Sequence, residues 1–110
     1  MIYKRHSIKG NSMIVIRVRL NVSPEHETQF VNNVQSEVEN NKTLAGCLTY
    51  SLYKDMSQDN HFLIYEEWDS MASFDAYKNS DGFRTIMAAL GPLLAGKPDS
   101  MYFDAEVVGP

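Results

Sequence analysis

The chain has a single cysteine, Cys47, in 110 residues. That excludes an intrachain disulfide and a metal site built on paired thiolates. A lone thiol suits a reducing cytoplasm, which is the expected location. No apolar run approaches the ~20 residues of a membrane span, so no membrane association is expected. The opening MIYKRHSIKGNS has cations but no apolar h-region, so it does not read as a secretory signal. The six glycines form neither a GxGxxG nor a P-loop pattern, which leaves a nucleotide or flavin cofactor without support. His6, His26 and His61 show no ligand-pair spacing, so no metal is expected either. Basic residues are also scarce: the net charge of −4 gives no electrostatic footprint for nucleic acid. Three of the ten cations (Lys4, Arg5, Lys9) lie in residues 1–12, leaving seven against fourteen acids in residues 13–110.

Residues 1–12 are expected to be an N-terminal arm, an expression remnant or an upstream start, with one domain over 13–108. In MIVIRVRL (13–20), Ile14, Ile16, Val18 and Leu20 alternate with Met13, Val15, Arg17 and Arg19, the period of a strand. Ser23-Pro24-Glu25 announces a helix through a hydroxyl N-cap, a proline at the first position and an early acid. Phe30, Val31, Val34 and Val38 give it one apolar stripe, fading near Asn40-Asn41. GCLTYSLYK (46–54) and HFLIYEEWD (61–69) read as a hairpin around DMSQDN. Leu48, Tyr50 and Leu52 are expected on one face of the first of these strands, with Cys47, Thr49, Ser51 and Tyr53 on the other.

Two short helices follow. Ser70 is the cap expected for the first, which carries Phe74 and Tyr77. Ser80 or Asp81 caps the second, which bears Phe83, Ile86, Met87 and Leu90 at i, i+3, i+4 and i+7. Gly91-Pro92 ends it, GKPDS is a loop and MYFDAEVV (101–108) is a last strand. The order β-α-β, β-α-β predicts an α+β fold of the ferredoxin-like, split βαβ kind: a four-stranded antiparallel sheet with helices on one face. The other sheet face would present Met13, Val15, Cys47 or Tyr50, and Phe103 or Tyr102. An apolar face of that size predicts a homodimer packed sheet against sheet.

Two apart on one strand, Glu66 and Trp68 share a face, while Glu67 and Asp69 point away. Trp68 has two readings, a core ring or a dimer-interface ring. Glu66 has two as well: an ion pair with Arg17 or Arg19, or a desolvated base with a raised pKa. Phe74, Tyr77, Phe83 and Met87 fall at helical spacing as core residues, although a buried Tyr77 needs a hydrogen-bond partner and could face a cavity. Cys47 reads as a small core-facing residue.

E-x-W, a polar cap, an aromatic short helix and S-x-x-F (Glu66, Trp68, Ser70, Phe74, Tyr77, Ser80, Phe83) resemble the antibiotic biosynthesis monooxygenase domain family. Gly46-Cys47-Leu48 and Phe62-Leu63-Ile64-Tyr65-Glu66 are similar to the same family. The resemblance implies a dimeric α+β barrel and, in catalytic members, oxygenation of quinols or polycyclic phenols without metal, flavin or haem. A small aromatic or quinone-like ligand is expected, with Tyr77 and Glu66 as catalytic candidates and a pocket of Trp68, Phe74, Phe83, Met87 and Arg17 between sheet and helices. Many members carry a histidine where this chain has Tyr77, a poor base at neutral pH. The haem-degrading branch looks close too, but its expected iron ligand is Met87 here and residues 13–20 hold no asparagine, which disfavours haem degradation. A non-catalytic binding or stress-related module and a small-metabolite isomerase are the alternatives.

Overall fold

A computed structural model describes residues 12–109. The proposed arm, apart from Ser12, and His6 lie outside the described residues. Strand β1 (Ser12–Asn21) begins one residue earlier than its apolar alternation suggests. A 3-10 turn over Pro24–His26 leads into α1 (Glu27–Asn41). β2 (Cys47–Lys54) and β3 (His61–Trp68) form the hairpin, followed by α2 (Met71–Lys78) and α3 (Asp81–Leu90). A second 3-10 turn, Gly91–Leu93, precedes β4 (Asp99–Glu106). The four strands form one sheet in the order β2-β3-β1-β4, every pair antiparallel, which is the ferredoxin-like arrangement.

Local chemistry explains most of these boundaries. Ser70 Oγ accepts from Ser73 N and Ser80 Oγ accepts from Phe83 N, each at 3.2 Å, so both short helices start on hydroxyl caps. Ser23 differs from the expectation: its side chain makes no cap bond, and its carbonyl instead accepts from His26 N to close the 3-10 turn. Asp99 and Ser100, read as loop in the sequence, belong to β4 because they pair with Arg19 and Val18.

The face assignment within β2 is corrected by a bulge. Cys47 opposes Trp68 and Thr49 opposes Glu67, so Leu48 is the extra residue. Cys47 therefore packs against the core beside Tyr50 and Leu52, while Leu48 is 55% exposed. Neither Cys47 nor Tyr50 reaches the outer sheet face. Gly46 precedes the bulge at φ +83°, and a Cβ there would meet Ser73 Cβ at 2.3 Å. Glycine is thus required twice, for its backbone and for the close approach of α2.

The core lies between the sheet and the helices. Ile16, Leu20, Phe62, Ile64 and Trp68 from the sheet meet Phe30, Val34, Phe74, Tyr77, Ile86 and Leu90 from the helices. The outer face carries Met13, Val15, Arg17, Tyr65, Glu67, Met101 and Phe103, as their register with the inward residues requires. Among the described residues no helix is long and apolar enough to cross a membrane.

Candidate functional site

A cavity of about 390 Å³ lies between the sheet and α3, closed on one side by the segment after it. Ile16, Val18 and Ile64 form its sheet wall, and Phe74, Phe83, Met87 and Leu90 its helix wall. Phe83, Met87 and Leu90 reach it together because four- and three-residue steps stack them on one side of α3. Met87 and Tyr102, 41% and 44% exposed, mark where the cavity meets solvent. At its depth is Glu66, 5% exposed and the cavity's one carboxyl group.

Glu66 is positioned from two directions. Trp68, two residues along β3 on the same face, donates its indole N–H to Glu66 Oε1 at 2.9 Å. Tyr50 stands directly opposite Glu66 on β2 and also lines the cavity. Burial raises the Glu66 carboxyl to about 7; the Trp68 hydrogen bond opposes that rise and the negative charge of Glu37 adds to it. A carboxyl in that range exchanges protons at neutral pH, as a general base or acid must.

Behind Glu66 lies a second layer, outside the cavity lining. Trp68 is fully buried and stacks on Tyr77 with ring centroids 5.1 Å apart, and Phe74 and Phe83 meet this pair edge-on. The Tyr77 hydroxyl donates to Glu37 Oε2 on α1. Burial and that bond to Glu37 both raise the Tyr77 phenol, with Tyr50 and Asn41 opposing. Tyr50 is raised as well, by burial first and then by the charge of Glu66. Neither phenol is a base near neutral pH. Asn41 Nδ2 is buried at this junction without a hydrogen bond among the described residues. Cys47 is pushed up to about 11, mainly by burial, which keeps its thiol protonated and unreactive.

Of the residues singled out in the sequence, Glu66, Phe74, Phe83 and Met87 line one cavity. Trp68 and Tyr77 form the layer behind it. Arg17 points to the opposite face of the sheet, because its β1 neighbours Ile16 and Val18 are the inward ones. The same alternation keeps Arg17 and Arg19 from pairing with Glu66. Tyr50, Glu37 and Asn41 were not foreseen. The last two carry the Phe30–Val34 stripe onward by three and four residues, which is the signal that marks them as inward. Among the described residues no group of three or more histidine, cysteine, aspartate or glutamate side chains could hold a metal ion.

The model of the antibiotic biosynthesis monooxygenase family matches residues 13–89, most of the chain. The protein belongs to that family. An uncharacterized protein of Synechocystis is 30% identical over 89 residues, covering 80% of this chain but 60% of that longer protein. YcnE of Bacillus subtilis, provisionally named a monooxygenase, is 26% identical over 87 residues, 79% of this chain and 92% of its own. A crystal structure from Caulobacter crescentus, provisionally described as an antibiotic biosynthesis monooxygenase, superposes with a TM-score of 0.81 at 28% identity, covering 87% of this chain and 92% of that one. A Methanosarcina mazei protein at 23% identity shares the fold with a TM-score of 0.84, over 89% of this chain and 97% of that one. The matched segment runs from the second residue of β1 to the last but one of α3, and so includes Glu66 and, of the cavity's helix wall, Phe74, Phe83 and Met87.

Proposed function

We propose that the protein is a cofactor-independent monooxygenase of a small phenolic or quinol-type aromatic, with Glu66 as the base. The observation that carries this is one carboxyl group, buried and brought into the neutral range, at the depth of an otherwise apolar cavity. Removal of an acidic proton from such a substrate gives an electron-rich anion, and the apolar walls of Phe74, Phe83 and Met87 keep it from water. The anion passes an electron to O₂, and the radical pair recombines with formation of a C–O bond. The resulting peroxide takes the proton back from Glu66 and loses water. The substrate loses two hydrogens, one oxygen atom enters the product and the other leaves as water. Trp68 holds Glu66 in position. Tyr77, tied to Glu37, supports Trp68 from behind and is assigned a positioning role.

The same proposal includes a cytoplasmic homodimer formed across the outer sheet face. Met101 and Phe103, 43% and 42% exposed there beside Val15, favour it.

Oxygen consumption with a panel of hydroquinones and anthrone-type phenols tests the activity. Uptake above autoxidation is expected, falling by about 10²–10⁴-fold in Glu66→Gln. No uptake above buffer contradicts the oxygenase; saturable binding without uptake would instead make the protein a binding module of the same fold.

A further inference from the structure

Met87 supplies the one sulfur atom in the lining of the Glu66 cavity. It sits on α3 one turn from Phe83 and from Leu90, through which the same helix meets the cavity. At 41% exposure it also borders solvent at the cavity's mouth. The other lining side chains are hydrocarbon, phenol, hydroxyl, carboxyl or ammonium, and none of these takes an oxygen atom from a peroxide at neutral pH. A thioether does, because its sulfur lone pair attacks the terminal oxygen. Cys47, the chain's single thiol, is not in the lining.

Two methionines elsewhere supply the contrast. Met56, in the hairpin turn, is fully exposed, and Met71, at the start of α2, is 41% exposed. Bulk solvent therefore reaches both at least as readily as it reaches Met87. Neither lines the cavity. Exposure alone would oxidise Met56 first; a peroxide held in the cavity would oxidise Met87 first.

We propose that Met87 is an oxygen-acceptor site: the substrate hydroperoxide formed in the cavity passes its terminal oxygen to the Met87 sulfur, and the sulfoxide turns the site down. This rests on the oxygenase reading above, which supplies the hydroperoxide, and adds a regulation of that same site. In the main course the hydroperoxide loses water: a C–H proton leaves, its electron pair forms C=O, and the O–O bond breaks. In the side course the sulfur lone pair forms an S–O bond as the O–O bond breaks. The hydroxyl proton passes to the departing oxygen, so the substrate leaves as an alcohol. Sulfur loses two electrons and the peroxide gains them. The sulfoxide puts a polar acceptor into a wall shared with Phe83 and Leu90, where the ring of a ligand offers it no donor. Because Met87 borders solvent, the oxidised side chain stays hydrated at the mouth and within reach of a sulfoxide reductase.

The full chain is turned over on an anthrone-type phenol below KM, under ¹⁸O₂ and with catalase present to remove free hydrogen peroxide. Oxygen uptake is followed, and tryptic peptides are then analysed by mass spectrometry. Labelled sulfoxide is expected to accumulate at Met87 with turnover, well ahead of Met56 and Met71. The rate is expected to fall about five- to tenfold as Met87 becomes fully oxidised. Methionine sulfoxide reductase should restore it. Met87→Leu, which keeps the wall apolar and removes the sulfur, should hold its own initial rate over the same turnovers. Uptake with Met87 unlabelled, or with Met56 oxidised as fast, overturns the proposal and leaves the oxygenase in place. So does a rate that stays level as the sulfoxide forms, a decline that the reductase leaves unreversed, or an equal decline in Met87→Leu. No uptake above autoxidation removes the source of the hydroperoxide, and both assignments fall.

Discussion

Trp68 and Glu66 are joined by an indole N–H bond of 2.9 Å between side chains two residues apart on β3. The donor is fully buried and the acceptor nearly so, in a place where the carboxylate has little other solvation. The bond therefore stabilises the ionised form of Glu66 against a larger desolvation effect. Trp68→Phe keeps a ring and removes the donor. It is expected to raise the Glu66 pKa by about one further unit, since hydrogen bonds to charged groups are worth ~1.5–3 kcal/mol and a unit is ~1.4. Infrared titration of the protonated carboxyl band, assigned through Glu66→Gln, checks this; an unchanged or lowered midpoint contradicts it.

The same shift makes a statement about stability. Glu66 is raised from 4.5 to about 7 in the folded protein. Between those values the unfolded chain has lost the proton while the folded one retains it. Stability therefore falls as pH rises from about 4.5 through about 7 and is level beyond, by roughly 3 kcal/mol in all. Glu66→Gln keeps an acceptor for Trp68 and removes this loss. It is expected to raise the melting temperature at pH 8 and to change it little at pH 4.5. Equal shifts at both pH values would mean that Glu66 is not held protonated by burial.

Tyr77→Phe separates positioning from catalysis. The ring stays in the stack against Trp68, but Glu37 loses its phenol donor in a buried place. The expected loss is about 1–3 kcal/mol in urea unfolding. Turnover, measured below the transition, is expected to stay within about threefold, against the ~10² or more that loss of an acid or base brings. A loss of kcat on that larger scale in a folded variant would make Tyr77 catalytic. Glu37→Gln is the electrostatic counterpart: with the negative charge removed, the Glu66 pKa is expected to fall, visible as an acid-side shift in its titration.

Gly46→Ala tests the packing of α2 on the hairpin. The position has φ +83°, and the added Cβ would overlap Ser73 Cβ at 2.3 Å. Strain and overpacking together are expected to destabilise by about 2–4 kcal/mol. A loss below ~1 kcal/mol in urea titration would show that α2 moves aside freely.

The elements of the fold were legible because each had a local cause. Alternation marks β1, and the Ser70 and Ser80 hydroxyls mark the two short helices. Glu66 and Trp68 could be placed together because a strand repeats every two residues. What escaped sequence reasoning depends on partners far along the chain. The bulge at Leu48 appears only in the register with β3; it puts Cys47, read as core-facing, on the same face as Tyr50 and leaves Leu48 outside. The Tyr77–Glu37 bond links residues 40 positions apart, and nothing local to either names the other. Arg17 looked like a pocket residue by type, but its parity on β1 puts it on the other side of the sheet. Lys97 and Pro98 line the cavity from a segment whose sequence reads only as loop.

The most direct measurement is the pH–rate profile of oxygen uptake with an anthrone-type phenol under ¹⁸O₂, for the protein and for Glu66→Gln. The expected result is incorporation of one labelled atom per product and a rate rising through an inflection near 7, where Glu66 loses its proton. The variant should lack both the inflection and ~99% of the rate. A profile of the same shape and height in Glu66→Gln would contradict the assignment of Glu66 as the base.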